Sequence, residues 1–391
     1  MLKAKVNYSV NLDDIEKSND ILKNINDDDK VMFLYSSYDT NINDIIKNIK
    51  KNVDIPIIGS TVSCVMTDEY IESTNDGFLS SLVLSDPNLK VGLAIHEAGN
   101  DKRAIGRKVA IKAVEDAKSN RAPAYFYMVS TPNDEEEYLK GIQDVIGRIP
   151  VFGGGPSSIN LDDNFKIFCK DKIIDDGIAV LFIYSDNEIN TYLTSSYRET
   201  KNVGIITEVS DNKNIITIDK EPSLKKYAKW LGVDEANIQG KKIQDYSLLK
   251  PLGIKSPFDT LNIVRQPIYG DNHNTKKISD DTILFSHIVK ENTAIIQLET
   301  TKEEIIEKSI EKLKDLKKNM FREPACFFLI LSDGYKKILG NDLNILYENI
   351  KKEAKNIPFI VIFTSTQYGY HTHSANCCGR LMLSYTGFSK K

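Results

Sequence analysis

Apolar positions along this chain alternate between short unbroken runs and stripes at helical spacing, and the alternation returns three times in the same order. Each return reads as an apolar strand, an amphipathic helix, the pair Ile-Pro, a second strand and a turn of small residues. The copies run from VMFLYSS to IPIIGST (Val31 to Thr61), from YFYMVST to IPVFGGG (Tyr125 to Gly155) and from CFFLILSD to IPFIVIFTST (Cys326 to Thr366). The first two align without a gap, because Ser36 and Ser130, like Pro56 and Pro150, stand 94 residues apart. That spacing implies an internal duplication.

The helical stripes can be counted directly. Ile42, Ile45, Ile46 and Ile49 share one face, as do Leu139, Ile142, Val145 and Ile146, and then Leu343, Leu346, Ile350 and Ala354. A further strand and helix precede each copy: KVNYSV leads into DDIEKSNDILKNI, VGLAIHEA into RAIGRKVAIKAVEDA, and TAIIQLE into EEIIEKSIEKLKDL. The last of these helices can open on a capping box, formed either by Thr300 with Glu303 or by Thr301 with Glu304. In the first two copies an Asp-Gly pair, Asp76-Gly77 or Asp176-Gly177, then introduces an apolar strand that ends in Ser-Asp. In the third copy that place is taken by HTHSANCCGRLMLSYTGF.

The fold class expected is α/β: two domains of mixed sheets flanked by helices, built from a repeated strand-helix-strand-helix-strand unit. A chain of 391 residues exceeds what one core usually serves, which also favours two domains. The alternation changes from Thr200 to about Asp281, where short strands and loops surround one helical piece at Leu224 to Leu231. A boundary near residues 200 to 222 follows, giving residues 1–210 with two copies and 211–391 with the third. Within the second part, Ile268 to Asp281 is polar enough for a solvated loop.

Charge and cysteine content narrow the function classes. The 51 Lys and Arg are nearly balanced by 55 Asp and Glu, so there is no electrostatic case for nucleic acid or an anionic membrane surface as partner. No run approaches the roughly 18 to 20 apolar residues of a spanning helix, and MLKAKVNYSV lacks the apolar core of a secretion signal. The expected location is therefore the cytoplasm. Five cysteines, Cys64, Cys169, Cys326, Cys377 and Cys378, are too scattered for a disulfide framework.

Candidate chemistry gathers at the turns after the repeated strands. Gly153, Gly154 and Gly155, followed by Pro156 and Ser157, could let successive N–H groups converge on an anion, or could simply allow two strands to approach closely. Ser60 and Thr61 hold the equivalent place in the first copy and offer hydroxyls to a pocket wall or to local turn bonds. The run from Tyr368 to Arg380 concentrates His371, His373, Asn376, Cys377, Cys378 and Arg380. In an extended segment His371, His373 and Cys377 share a side, which suits a transition metal or a haem axial position. The same residues also suit a polar pocket, with Arg380 as a fork for a carboxylate. His96 beside Glu97 reads as a hydrogen-bonded strand-end residue more readily than as an acid–base pair. No phosphate-loop, dinucleotide, GxSxG or HExxH spacing occurs, and a dyad of Cys377 or Cys378 with His371 is conceivable but sits close along one strand.

The order of motifs resembles the FIST family over nearly the whole chain. IPIIGST looks like that family's proline-strand-glycine turn, IPVFGGGPSS like its second glycine-rich turn, and DDGIAVLFIY like the strand that follows. IITIDKEPSLKKYAKWLGV and PLGIKSPFDTLNIVRQPI are similar to the segments that join and open its C-terminal half. The resemblance implies paired FIST N and FIST C domains forming a sensory module for a small ligand, an amino acid or another polar or anionic molecule, with signalling through a separate protein. It also implies haem as a possible cofactor, since some members are associated with haem-based gas sensing. The ligand-binding set expected is Ser60, Thr61, Gly153, Gly154, Gly155, Ser157, His371, His373, Asn376 and Arg380. A haem or metal sensor using His371, His373 and Cys377, and a Cys-dependent enzyme, stand as the two alternatives.

Overall fold

The computed structural model describes residues 1–391 apart from 73–76, 133, 158–164, 256–260, 271–281 and 371–375. Its first module contains β1 (Lys3–Val10), α1 (Asp14–Leu22), β2 (Asp29–Ser36), α2 (Ile42–Asn52), β3 (Ile57–Thr61), β4 (Val65–Thr67), β5 (Ile71–Glu72) and β6 (Phe78–Ser85). The second repeats the order with β7 (Lys90–Glu97), α3 (Lys102–Ala117), β8 (Tyr125–Ser130), α4 (Glu135–Ile146), β9 (Val151–Gly154), β10 (Ile167–Cys169), β11 (Lys172–Ile174) and β12 (Gly177–Tyr184).

The third module opens with β13 (Ile189–Thr194) and is then interrupted by an insert. The insert comprises β14 (Arg198–Ser210), β15 (Asn214–Ile218), β16 (Glu221–Pro222), α5 (Ser223–Leu231), α6 (Gln244–Leu249), β17 (Leu252–Lys255), β18 (Asn262–Arg265), β19 (Pro267–Tyr269), β20 (Ile283–Phe285) and β21 (Ala294–Glu299). The module resumes with α7 (Lys302–Asn319), β22 (Pro324–Ser332), α8 (Asp333–Leu339), α9 (Leu343–Ala354), β23 (Phe359–Thr364), β24 (Gln367–Gly369), β25 (Cys377–Gly379) and β26 (Leu383–Ser389).

Three six-stranded sheets follow one plan. Their orders are β1-β6-β2-β3-β10-β11, β7-β12-β8-β9-β24-β25 and β13-β26-β22-β23-β4-β5. In each, one parallel pair (β2 with β3, β8 with β9, β22 with β23) sits in an otherwise antiparallel sheet. The last two strands of every sheet come from another module, and the exchange closes into a ring. The second module lends β10 and β11 to the first sheet, the third lends β24 and β25 to the second, and the first lends β4 and β5 to the third.

The central strands β2, β8 and β22 are buried along nearly their whole length, which is why they read as unbroken apolar runs. Their inner faces meet in one core. Phe33, Tyr127 and Phe328, one from each module, form a triangle with ring centroids 5.2, 5.4 and 5.9 Å apart. The Tyr35 hydroxyl donates to that of Tyr127 at 3.0 Å, so these two buried hydroxyls satisfy each other. Burial of each such side chain contributes about 1.5–3 kcal/mol. The outer faces carry the helices: the α2 stripe Ile42, Ile45, Ile46 and Ile49 packs on the first sheet, α3 and α4 on the second, and α7 and α9 on the third.

Helix starts follow the side chains present. Asp13 accepts from the Glu16 amide, Asp101 accepts from that of Ala104, and Thr301 with Glu304 forms the reciprocal capping box. Of the two capping pairs open from sequence, Thr301 with Glu304 is the one formed.

One expectation needs correction. TAIIQLE is a strand, β21, but it pairs with β14 and β17 in the insert's sheet. The first strand of the third module is β13, which meets β26 as β1 meets β6; apolar periodicity marks a strand without naming its partner. The division between residues 210 and 211 falls inside the β14–β15 hairpin, where Ser210 faces Asn214. Ser36 pairs with Leu79 whereas Ser130 pairs with Ile178, so Gly177 answers to Phe78, and Asp76 lies outside the described residues.

The insert has its own core of Ile206, Ile215, Leu224, Tyr227 and Ile283. Its sheet runs β18-β17-β21-β14-β15-β20-β19, with β16 on β15.

Candidate functional site

Beyond the ends of the parallel strands of the second and third modules lies a cavity of about 580 Å³, covered on one side by the insert. The modules contribute Thr131, Ser157, Asp333, Ser365 and Arg380 to its wall, and the insert contributes Lys242 and Tyr269.

Ser157 and Ser365 occupy the same place in their modules, as does Ser63 in the first, each seven residues past its Ile-Pro proline. The Ser157 hydroxyl donates to the Phe363 carbonyl at 2.7 Å and accepts from the Ser63 amide at 3.0 Å. Ser365 donates to the Pro156 carbonyl at 2.6 Å. The strand ends of all three modules are thus tied together next to the cavity. Thr131 is fixed by its hydroxyl bond to the Asp176 carboxylate and by the Gly177 amide, which donates to it at 3.1 Å.

Asp333 is half-buried where β22 turns into α8, just after Ser332, whose hydroxyl accepts from the Gly334 amide at 3.2 Å. Burial pushes its carboxyl above the ordinary aspartate value, against the downward pull of Arg380 and Lys337. The Arg380 Nε is buried and has no hydrogen-bond partner among the described residues.

Behind this wall lies a buried polar layer that joins the insert to the modules. The Arg265 guanidinium pairs with Glu136 and donates from Nη1 to the Cys378 carbonyl at 2.9 Å. Glu135 accepts from the Thr366 hydroxyl at 2.9 Å and stands 3.9 Å from Nε2 of His287. His287 is fully buried, with Nδ1 2.8 Å from the Ser286 hydroxyl. Burial, reinforced by Arg265, Arg380 and Lys213, holds its imidazole well below the ordinary histidine value. Glu135 is too distant for a hydrogen bond and does not reverse that.

Of the residues expected from sequence, Ser157 and Arg380 stand on the cavity wall. Thr61 lies directly behind, its carbonyl accepting from the Ser157 amide at 3.2 Å and its hydroxyl from the Lys166 amide at 3.0 Å. Ser60 is buried within β3 opposite Ile167, off the cavity wall. Asn376 clamps the second Ile-Pro segment, donating to the Ile149 carbonyl at 2.7 Å and accepting from the Val151 amide at 3.2 Å.

The anion cradle expected at Gly153 to Gly155 is corrected. The Gly155 amide donates to the Thr366 carbonyl at 2.9 Å, and Gly153 and Gly154 pair with Tyr368 and Gln367 of β24. A Cβ on Gly153, at φ +148°, would lie 2.0 Å from the Met128 carbonyl oxygen, and one on Gly154 would lie 2.6 Å from the Thr364 hydroxyl. Close strand approach is what these glycines permit.

His371 and His373 lie outside the described residues. Cys377, the third residue of the metal reading, is half-buried with its sulfur 3.9 Å from the Gly369 carbonyl oxygen. Among the described residues no three His, Cys, Asp or Glu side chains are grouped to hold a metal. Burial pushes the Cys378 thiol well above its ordinary value, the opposite of what a nucleophile requires. His96 lies at a strand end with Nδ1 2.7 Å from the Glu97 carbonyl oxygen.

Sequence reasoning did not identify Thr131, Asp333, Ser365, Lys242 or Tyr269. Ser365 was reachable by counting from Pro358 as from Pro56 and Pro150. Lys242 and Tyr269 carry no such signal, since the insert is not part of the repeat.

A FIST N domain matches residues 30–221. No curated protein matches the chain. Among solved structures, cyanuric acid hydrolase from A. caulinodans is 8% identical, with all of both chains covered and a TM-score of 0.34. A chorismatase is 7% identical over 100% of this chain and 99% of its own, again with a TM-score of 0.34. A further cyanuric acid hydrolase is 8% identical over 66% of this chain and 82% of its own, with a TM-score of 0.27. Superpositions this loose carry neither fold nor chemistry across. No described helix is long and apolar enough to cross a membrane.

Proposed function

This chain carries a FIST N domain and so belongs to the FIST family of small-ligand sensors, and from that premise we propose that it binds a small polar molecule in the cavity between its second and third modules and the insert. The observation that carries the reading is the cavity itself: about 580 Å³, at the ends of parallel strands, with Ser157 and Arg380 on its wall. Hydroxyls fixed by backbone bonds give the wall a set shape, and Arg380 supplies a charged fork without a protein partner among the described residues. An amino acid, an organic acid or a similar small polar molecule is the class that fits such a wall. The insert covers the cavity and is joined to the modules through Arg265, so a bound guest would touch both bodies and bias how they sit together. The same reading has the protein working in the cytoplasm and passing its signal to a separate protein.

Thermal-shift screening against amino acids, organic acids and nucleotides tests this. A ligand at a hundred times its Kd stabilises by about 2.7 kcal/mol. The variant Arg380→Gln should bind any hit at least tenfold more weakly, while Arg121→Gln, in a surface pair with Asp186 far along the sheet, should leave it unchanged. Equal shifts in all three proteins would remove the cavity as the site.

A further inference from the structure

We infer that the ligand is a small acid with at least two anionic groups on an apolar body, an inference that rests on the cavity being the binding site. The charged side chains around the cavity are unevenly paired. Lys102 and Lys213 approach Asp134 at 4.0 and 3.8 Å, and Lys166 pairs with Asp175. Arg380, Lys337 and Lys242 line the same cavity from three different elements, and none makes an ion pair among the described residues.

Of the carboxylates on the wall, Asp176 accepts from the Thr131 hydroxyl, and Asp333 makes no ion-pair contact with Arg380 or Lys337. Arg265, the other guanidinium nearby, is already neutralised by Glu136. His287 is kept uncharged behind the wall.

Arg380 is the anchor, because it stands on the cavity wall with no ion-pair partner among the described residues, and its Nε has no acceptor there. One acidic group of the ligand would take that fork. Lys337 on α8 and Lys242 in the insert stand exposed on the cavity wall, placed to receive a second acidic group. Apolar surface on the same wall comes from Phe165, Ile268, Leu284 and the Tyr269 ring. Its volume leaves room for a carbon skeleton beyond the two charged groups.

The test compares matched probes by thermal shift and calorimetry at low ionic strength: benzene-1,3-dicarboxylate, benzoate and benzene-1,3-dicarboxamide, then succinate, butyrate and succinamide. Each di-acid should bind at least tenfold more tightly than its mono-acid, and the diamides should not bind. Lys337→Gln and Lys242→Gln should each weaken the di-acid at least threefold and leave the mono-acid within twofold, while Arg380→Gln weakens both. If a mono-acid or diamide binds as tightly as the di-acid, or if neither lysine variant affects the di-acid, the inference is overturned and the cavity reading stands. If none of the six binds, the inference is likewise overturned, and the cavity reading is then decided by the neutral and zwitterionic members of the wider screen.

Discussion

The Ser63 amide donates to the Ser157 hydroxyl at 3.0 Å, joining two residues 94 positions apart that hold the same place in consecutive modules. That hydroxyl in turn donates to the Phe363 carbonyl of the third module at 2.7 Å. A single side chain therefore connects all three modules beside the candidate cavity. The small residues at the strand ends owe part of their character to this junction, and Ser157 serves both the junction and the wall.

Ser157→Ala should consequently destabilise the protein by about 1–3 kcal/mol, because it leaves a buried amide and a buried carbonyl unsatisfied together. Urea unfolding measures it. Serine at 365 makes one such bond instead of two, so Ser365→Ala should cost less. A larger loss at 365 than at 157 would contradict the junction described.

Substitution at the glycine turn should act on folding before it acts on binding. Gly153→Ala forces a Cβ to within 2.0 Å of the Met128 carbonyl oxygen at φ +148°, and Gly154→Val meets Thr364 and the Thr366 carbonyl. Both should yield poorly folded or insoluble protein. Gly147→Ala, at φ +74° and ψ −159° with open space around its Cβ, should cost about 1–3 kcal/mol from backbone strain alone and still fold. Circular dichroism melts of the three variants settle the ranking; a stable Gly153→Ala protein would show that the strands can part.

How much of this was legible in the sequence depends on whether a feature is local. The α2 stripe, the Thr301 cap and the Ile-Pro strands are set by residues within a turn or two of one another, and they form where the pattern predicts. Strand partnership is not local. Nothing in VMTDEY or in IFCKDKII says that β4 and β10 leave their own modules for a neighbouring sheet. The insert defeated the repeat for the same reason: TAIIQLE has the right composition and the right following helix, yet β13 takes the edge beside β26. At the site, Arg380 and Ser157 were chosen for their chemistry and do share a wall, whereas the glycines were chosen for backbone donors that pairing with β24 and the Thr366 carbonyl engages. His287 carries no signal in the sequence, because its burial and the cations around it come from elements distant along the chain.

Cyclic exchange of strands makes the modules interdependent. Cutting the chain after Asn187 leaves the first fragment without β24 and β25 beside β9, and leaves its β4 and β5 without the third sheet they complete. Each fragment alone should lack cooperative unfolding and should bind a hydrophobic dye, from unpaired edges and an open aromatic core. Mixed during refolding, the two should recover a sigmoidal transition. An isolated fragment 1–187 with a sharp transition of its own would refute the interdependence.

Stability should also depend on pH through His287. Burial comes first among the causes that hold its imidazole well below the ordinary value, followed by Arg265, Arg380 and Lys213. Glu135 faces it at 3.9 Å and Ser286 holds Nδ1. The unfolded chain binds the proton near pH 6.5 while the folded chain does not, so protons favour unfolding as pH falls below that point. Stability is thus full above about pH 6.5 and declines beneath it, by at most about 1.4 kcal/mol per pH unit, until the folded imidazole itself titrates. Carboxylates throughout the protein contribute their own slopes at lower pH, which is why the comparison is with His287→Gln across pH 5.5 to 7.5. Glutamine removes the titration whatever it does to absolute stability, so the variant's free energy of unfolding should vary less with pH than that of the unaltered protein. Parallel curves would mean that His287 takes up its proton as readily in the folded state as in the unfolded one.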